Sequence, residues 1–76
     1  MTFNIKLKEI NDVYKLVNIL VGFEGDVDLE SGKYKVDGKS ILGIFSLDLR
    51  QPIKLTYEKE EGAEKLRAQL EPFIIW

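Results

Sequence analysis

With no histidine and no cysteine anywhere in its 76 residues, this chain must do any chemistry with carboxylates, hydroxyls and lysine ammoniums. That removes the usual general base, every thiol nucleophile and the common zinc ligands. Glu9 and Asp12 are three residues apart, close enough for paired carboxylates to share a proton, yet no nucleophile or oxyanion donor accompanies them. Their plainer role is charge at the entry of a helix. Asp26, Asp28 and Glu30 alternate as in the opening of a calcium loop. The turn glycine and the closing glutamate are not in place, however, and the interleaved Val27 and Leu29 mark a strand. No metal, no cofactor and no catalytic residue is expected. Ser40 is the remaining candidate. At the start of a short helical stretch it would be exposed, near a helix end that favours added negative charge, and beside Lys39, three conditions that suit a phosphorylation site. Its plainer role is a helix cap, whose removal typically costs about 1 kcal/mol.

The elements that would position these residues are legible from hydrophobic period. Phe3, Ile5 and Leu7 alternate with Asn4, Lys6 and Lys8, as in a strand with one buried face. Val13, Leu16, Val17, Leu20 and Val21 fall at helical spacing and predict an amphipathic helix, with Tyr14, Lys15 and Asn18 off the stripe. Asn11 or Asp12 would cap its start, and Gly22 sits where a left-handed residue would end it. Val27 and Leu29, then Tyr34 and Val36 across Ser31-Gly32, predict a hairpin with acids on one strand opposite lysines on the next. Ile41 to Leu47 is long enough for two helical turns and too apolar for a free loop. Ile53, Leu55 and Tyr57 predict a fourth strand, and Ala63, Leu66, Leu70 and Phe73 the inner stripe of a last helix that Pro72 ends. The order βαββαβα predicts an α+β open-faced sandwich: a four-stranded, mainly antiparallel sheet with helices on one face.

Residues 1–76 are expected to form a single domain with one core, burying roughly 60% of the surface its unfolded chain exposes. Eleven basic and thirteen acidic residues give a net charge of −2, and the lysines are scattered, so no nucleic-acid partner is expected. No apolar run reaches the roughly 20 residues of a membrane span. The absence of cysteine fits a reducing compartment, and the expectation is a cytoplasmic protein without membrane attachment.

The segment Gly38-Lys39-Ser40-Ile41-Leu42-Gly43-Ile44-Phe45-Ser46-Leu47, together with the element order, resembles the regulatory serine segment of HPr, the phosphocarrier family of the phosphotransferase system, and the likeness runs nearly the whole length of the chain. An ungapped count back from this segment puts Glu9 where the family has its phosphorylated histidine, Asn11 at its arginine and Asp12 at its helix-starting proline. A chain without histidine cannot carry phosphate in the family's way, and carboxylates at Glu9 and Asp12 would repel a phosphoryl group. The resemblance therefore implies a histidine-lacking regulatory member of the family, not an enzyme. It implies regulatory phosphorylation at Ser40, and docking of a protein partner, a serine kinase or regulator of the HPr network, through Lys39, Ile41, Leu42 and Phe45.

The residues themselves support part of that picture. A two-turn helix cannot bury Ile41, Leu42, Ile44, Phe45 and Leu47 together, and the spacing predicts Leu42 and Phe45 as the exposed pair. An alternative is a self-associating structural domain that reuses the scaffold with no phosphotransfer role. Its homodimer contact would be the apolar segment Phe73-Ile74-Ile75-Trp76, whose plainer role is to cover the edge of the core.

Overall fold

The computed structural model describes residues 1–75. Its order is β1 (Thr2–Ile5), α1 (Ile10–Leu20), β2 (Val27–Ser31), β3 (Tyr34–Asp37), α2 (Ile41–Phe45), β4 (Ile53–Tyr57) and α3 (Ala63–Leu70). The four strands form one antiparallel sheet in the order β1-β4-β2-β3, the α+β open-faced arrangement that the hydrophobic periods predict.

The sheet's two faces follow from alternation. Leu55 in the central strand pairs with Phe3 on one side and Leu29 on the other, and Leu29 in turn pairs with Val36. Phe3, Leu29 and Leu55 are all buried. One residue along, the face turned from the core carries Asn4, Lys54, Glu30 and Lys35 in register. Lys35 lies 3.5 Å from Asp28 and 4.0 Å from Glu30, and Lys54 lies 4.0 Å from Glu30. These are the cross-strand charge pairs expected of a solvated face, each contributing a fraction of about 1 kcal/mol.

The helices cover the other face. Val13, Leu16, Val17 and Leu20 of α1, Ile44 of α2, and Ala63, Leu66 and Leu70 of α3 join the strand residues in one hydrophobic core. Two expectations for α1 are corrected. Val21 lies beyond the helix and is exposed, because the last turn tightens: the Gly22 amide donates to Ile19 and that of Phe23 to Leu20, each only three residues back. Gly22 does not adopt a left-handed conformation, since this tightened turn closes the helix without one.

The segment after α3 is bound to the sheet. The Lys6 amide donates to the Phe73 carbonyl at 2.8 Å and the Ile75 amide to the Asn4 carbonyl at 2.9 Å, with Ile5 and Ile74 bridged between them. Phe73 is buried and Ile74 packs against the core. The apolar surface of these two residues is used within the chain, the plainer of the two roles expected, where it shields the outer edge of β1. Ile75 is partly exposed, and Trp76 lies outside the described residues.

Candidate functional site

The serine segment begins where β3 hands over to α2. Ser40 has extended backbone and stands at the N-cap of α2, where its hydroxyl oxygen accepts from the Gly43 amide at 3.1 Å. The capping role is therefore realised. Gly43 also lets α2 approach the sheet, since a Cβ there would lie 3.2 Å from both Ser40 Oγ and the Val36 Cβ.

Lys39 is adjacent in sequence, but its side chain leads elsewhere. Its Nζ donates to the carbonyls of Phe23 at 2.8 Å and Gly25 at 3.0 Å. Two of its three donors thus hold the α1–β2 loop against the start of α2. The ammonium that the sequence places beside Ser40 serves the fold.

The short helix divides its apolar residues. Ile44 is fully buried, Leu47 nearly so, and Ile41 is half-buried against the core. Leu42 is 85% exposed and Phe45 37%, the pair that spacing singles out. Phe45 does not stand alone: its ring meets Tyr14 of α1 edge-on at a centroid distance of 6.0 Å. Tyr14 is itself exposed, as is Ile10 one turn earlier, and residues four apart on a helix are neighbours. Ile10, Tyr14, Phe45 and Leu42 thus form an apolar path across the seam between α1 and α2.

Ile10 and Tyr14 are the residues that sequence reasoning missed. Both fall outside the buried stripe, and the available signal was an apolar pair at i and i+4 on the flank of an otherwise polar surface.

At the near end of this path is the entry to α1. Glu9 is its N-cap, extended and exposed, and Asn11 is exposed in the first turn. Asp12 acts back on the chain: Oδ2 accepts from the Lys8 amide at 2.9 Å and the Glu9 amide at 3.1 Å. Helix α1 therefore starts two or three residues earlier than a cap at Asn11 or Asp12 implies, and Asp12 satisfies free amides from inside the first turn. The helix entry carries the carboxylates of Glu9 and Asp12, with Lys6 and Lys8 lining the same recess as Glu9. Beyond Ile10 lie Leu49 and Arg50. Arg50 donates to Asp48 through Nε at 3.0 Å, with its own amide and a second guanidinium nitrogen on the same carboxylate, so Asp48 is held below the ordinary aspartate value of 3.8. Lys6 Nζ donates to the Arg50 carbonyl.

The crystal structure of HPr-C-His from Thermoanaerobacter tengcongensis matches this chain with a TM-score of 0.72 at 31% sequence identity, over 92% of this chain and 86% of that one. The chain belongs to the HPr family. No family model matches it, and no curated protein does. This chain has one four-stranded sheet, three helices and a serine cap on α2, and its sequence contains no histidine. No helix among the described residues is long and apolar enough to cross a membrane.

Proposed function

We propose that this HPr-type chain is a non-enzymatic regulatory module that binds a protein partner through Ile10, Tyr14, Leu42 and Phe45, with phosphorylation of Ser40 as its switch. The observation that carries the reading is the 85% exposure of Leu42 beside the Tyr14–Phe45 pair in a chain with no histidine. An exposed leucine alone is ordinary, but a connected apolar path is the composition of an interface core. Glu9 in the place of the phosphorylated histidine and Asn11 in that of its arginine would leave the scaffold without its acceptor and keep the surface beside it. A phosphoryl group moved from ATP to Ser40 Oγ would add a charge of roughly −1.5 to −2 at the margin of the path. Leu42 lies two residues away, so the modification would alter partner affinity there.

Two measurements test this. Incubation with ATP and a serine kinase that acts on HPr should add one phosphoryl group to the intact mass of the wild-type protein and none to Ser40→Ala. No gain in the wild type would leave Ser40 a cap and refute the switch. Separately, the partner captured by wild type should be lost with Leu42→Lys and altered with Ser40→Asp; equal capture by all three refutes the docking surface.

A further inference from the structure

The two edges of the sheet are treated differently. The outer edge of β1 is closed by the segment after α3, whereas β3, the other outermost strand, has only β2 beside it among the described residues. Gly32, at a φ of 60°, lets a two-residue turn join β2 to β3, with Ser31 and Tyr34 as its closing pair. From there the ladder alternates. Tyr34 and Val36 turn their backbone groups towards Ser31 and Leu29, and the Gly38 amide keeps the same phase by donating to the Val27 carbonyl at 2.7 Å. Lys35 and Asp37 therefore turn theirs outwards. The Asp37 carbonyl accepts from the Ser40 amide at 3.1 Å. This leaves the Lys35 N–H, the Lys35 C=O and the Asp37 N–H without a partner among the described residues.

A lysine on an edge strand commonly keeps other strands away. Here the Lys35 ammonium lies 3.5 Å from Asp28 and 4.0 Å from Glu30, both on β2, so it is drawn inwards over the sheet and off the edge. Lys33 at the turn end of the edge and Asp37 at its α2 end belong to none of the ion pairs among the described residues. Between them, Tyr34 is 68% exposed and lines a recess of about 810 Å³ together with Leu47 and Pro52. Val36, two residues on and on the same side of the strand, is half-buried.

We propose that the outer edge of β3 takes up an extended segment of a partner protein as an added strand parallel to β3, with an acidic residue facing Lys33, apolar residues facing Tyr34 and Val36, and a basic residue facing Asp37. An extended backbone presents donors and acceptors at the two-residue spacing of the three outward groups. The direction follows from the Asp37 carbonyl. In a parallel strand the residue facing Val36 donates to the Lys35 carbonyl and accepts from the Asp37 amide, while the one facing Tyr34 accepts from the Lys35 amide. An antiparallel residue facing Asp37 would aim its N–H at the carbonyl that Ser40 already occupies. The same obstacle disfavours a second copy of this chain paired antiparallel through β3. The edge shares no residue with the path of Ile10, Tyr14, Leu42 and Phe45.

The test is an amide-resolved NMR titration of the full chain with the blocked peptide acetyl-Ser-Glu-Val-Thr-Val-Lys-Ser-amide. Saturable shifts are expected at the Lys35 and Asp37 amides, with those of Ile10, Tyr14 and Leu42 unmoved. N-methylation of both valines removes the donor that faces the Lys35 carbonyl and should abolish saturation. N-methylation of the threonine, whose N–H points away from β3 in the parallel arrangement, should leave binding unchanged. Lys35→Pro removes one outward donor where an edge strand tolerates proline and should lose the peptide. Lys33→Glu leaves the backbone intact and should bind it about threefold more weakly at an unchanged melting temperature. Absence of saturable shifts at Lys35 and Asp37, equal saturation by the valine-methylated peptide, loss of binding by the threonine-methylated one, or undiminished binding to Lys33→Glu would each overturn the proposal. So would shifts of the same amides that grow with protein concentration in the absence of peptide, the mark of a second copy on the edge.

Discussion

Ser40 Oγ serves as the α2 cap and is also the atom a kinase would modify, and the two roles separate by substitution. Ser40→Ala leaves the Gly43 amide without its acceptor and should lower stability by about 1 kcal/mol, or several degrees in thermal melting for a domain of this size. Ser40→Asp supplies another good capping group, so its melting temperature should stay close to wild type while its charge changes partner capture. A thermal melt of both variants checks this, and an equal loss in the two would detach the effect from capping. Asp48 offers a second residue-scale test. Hydrogen bonds from the Arg50 side chain, then from its backbone amide, lower the Asp48 pKa. A carboxylate depressed in the folded state stabilises above its unfolded value of about 3.8 and loses that contribution as pH falls through the lower folded value. Carboxyl-carbon NMR should show Asp48 titrating below 3.8, and Arg50→Gln should move it back up; the pair lies at the surface, so the effect on stability is small.

Within the elements, alternation decides which substitutions matter. Leu55 is fully buried between Phe3 and Leu29 in the central strand, whereas its neighbour Lys54 is exposed on the solvated face. Leu55→Ala should cost about 2–5 kcal/mol by denaturant unfolding, and Lys54→Ala about 0.5 kcal/mol or less. Comparable losses would mean that the two faces are misassigned. The strands and the buried stripe of α1 were legible because a period of two or of 3.6 already states which side is apolar. The ends of α1 were not legible. Val21 continues the apolar spacing and Gly22 has the composition of a left-handed cap, but hydrogen bonds to Ile19 and Leu20 close the helix at Leu20. Those bonds depend on how the chain turns towards β2, which no local spacing records.

For the molecule as a whole, Phe73 to Ile75 close the outer edge of β1. Phe73 is buried and its carbonyl accepts from Lys6 across the edge of β1. Phe73→Ala should therefore lower stability by about 3 kcal/mol, and sedimentation should find wild type and variant both monomeric. A wild-type dimer that the substitution dissolves would favour the self-associating reading instead. The sequence by itself determined the α+β order, the core stripes, the capping serine, the loss of histidine chemistry and the exposure of Leu42 and Phe45, because each follows from composition or from residues a few positions apart. Tertiary structure alone decided that Tyr14 meets Phe45, that the Lys39 ammonium is tied to the Phe23 and Gly25 carbonyls, and that the terminal segment pairs with β1. Each of those contacts joins residues between fourteen and some seventy positions apart, and only packing of the helices on the sheet brings such residues together.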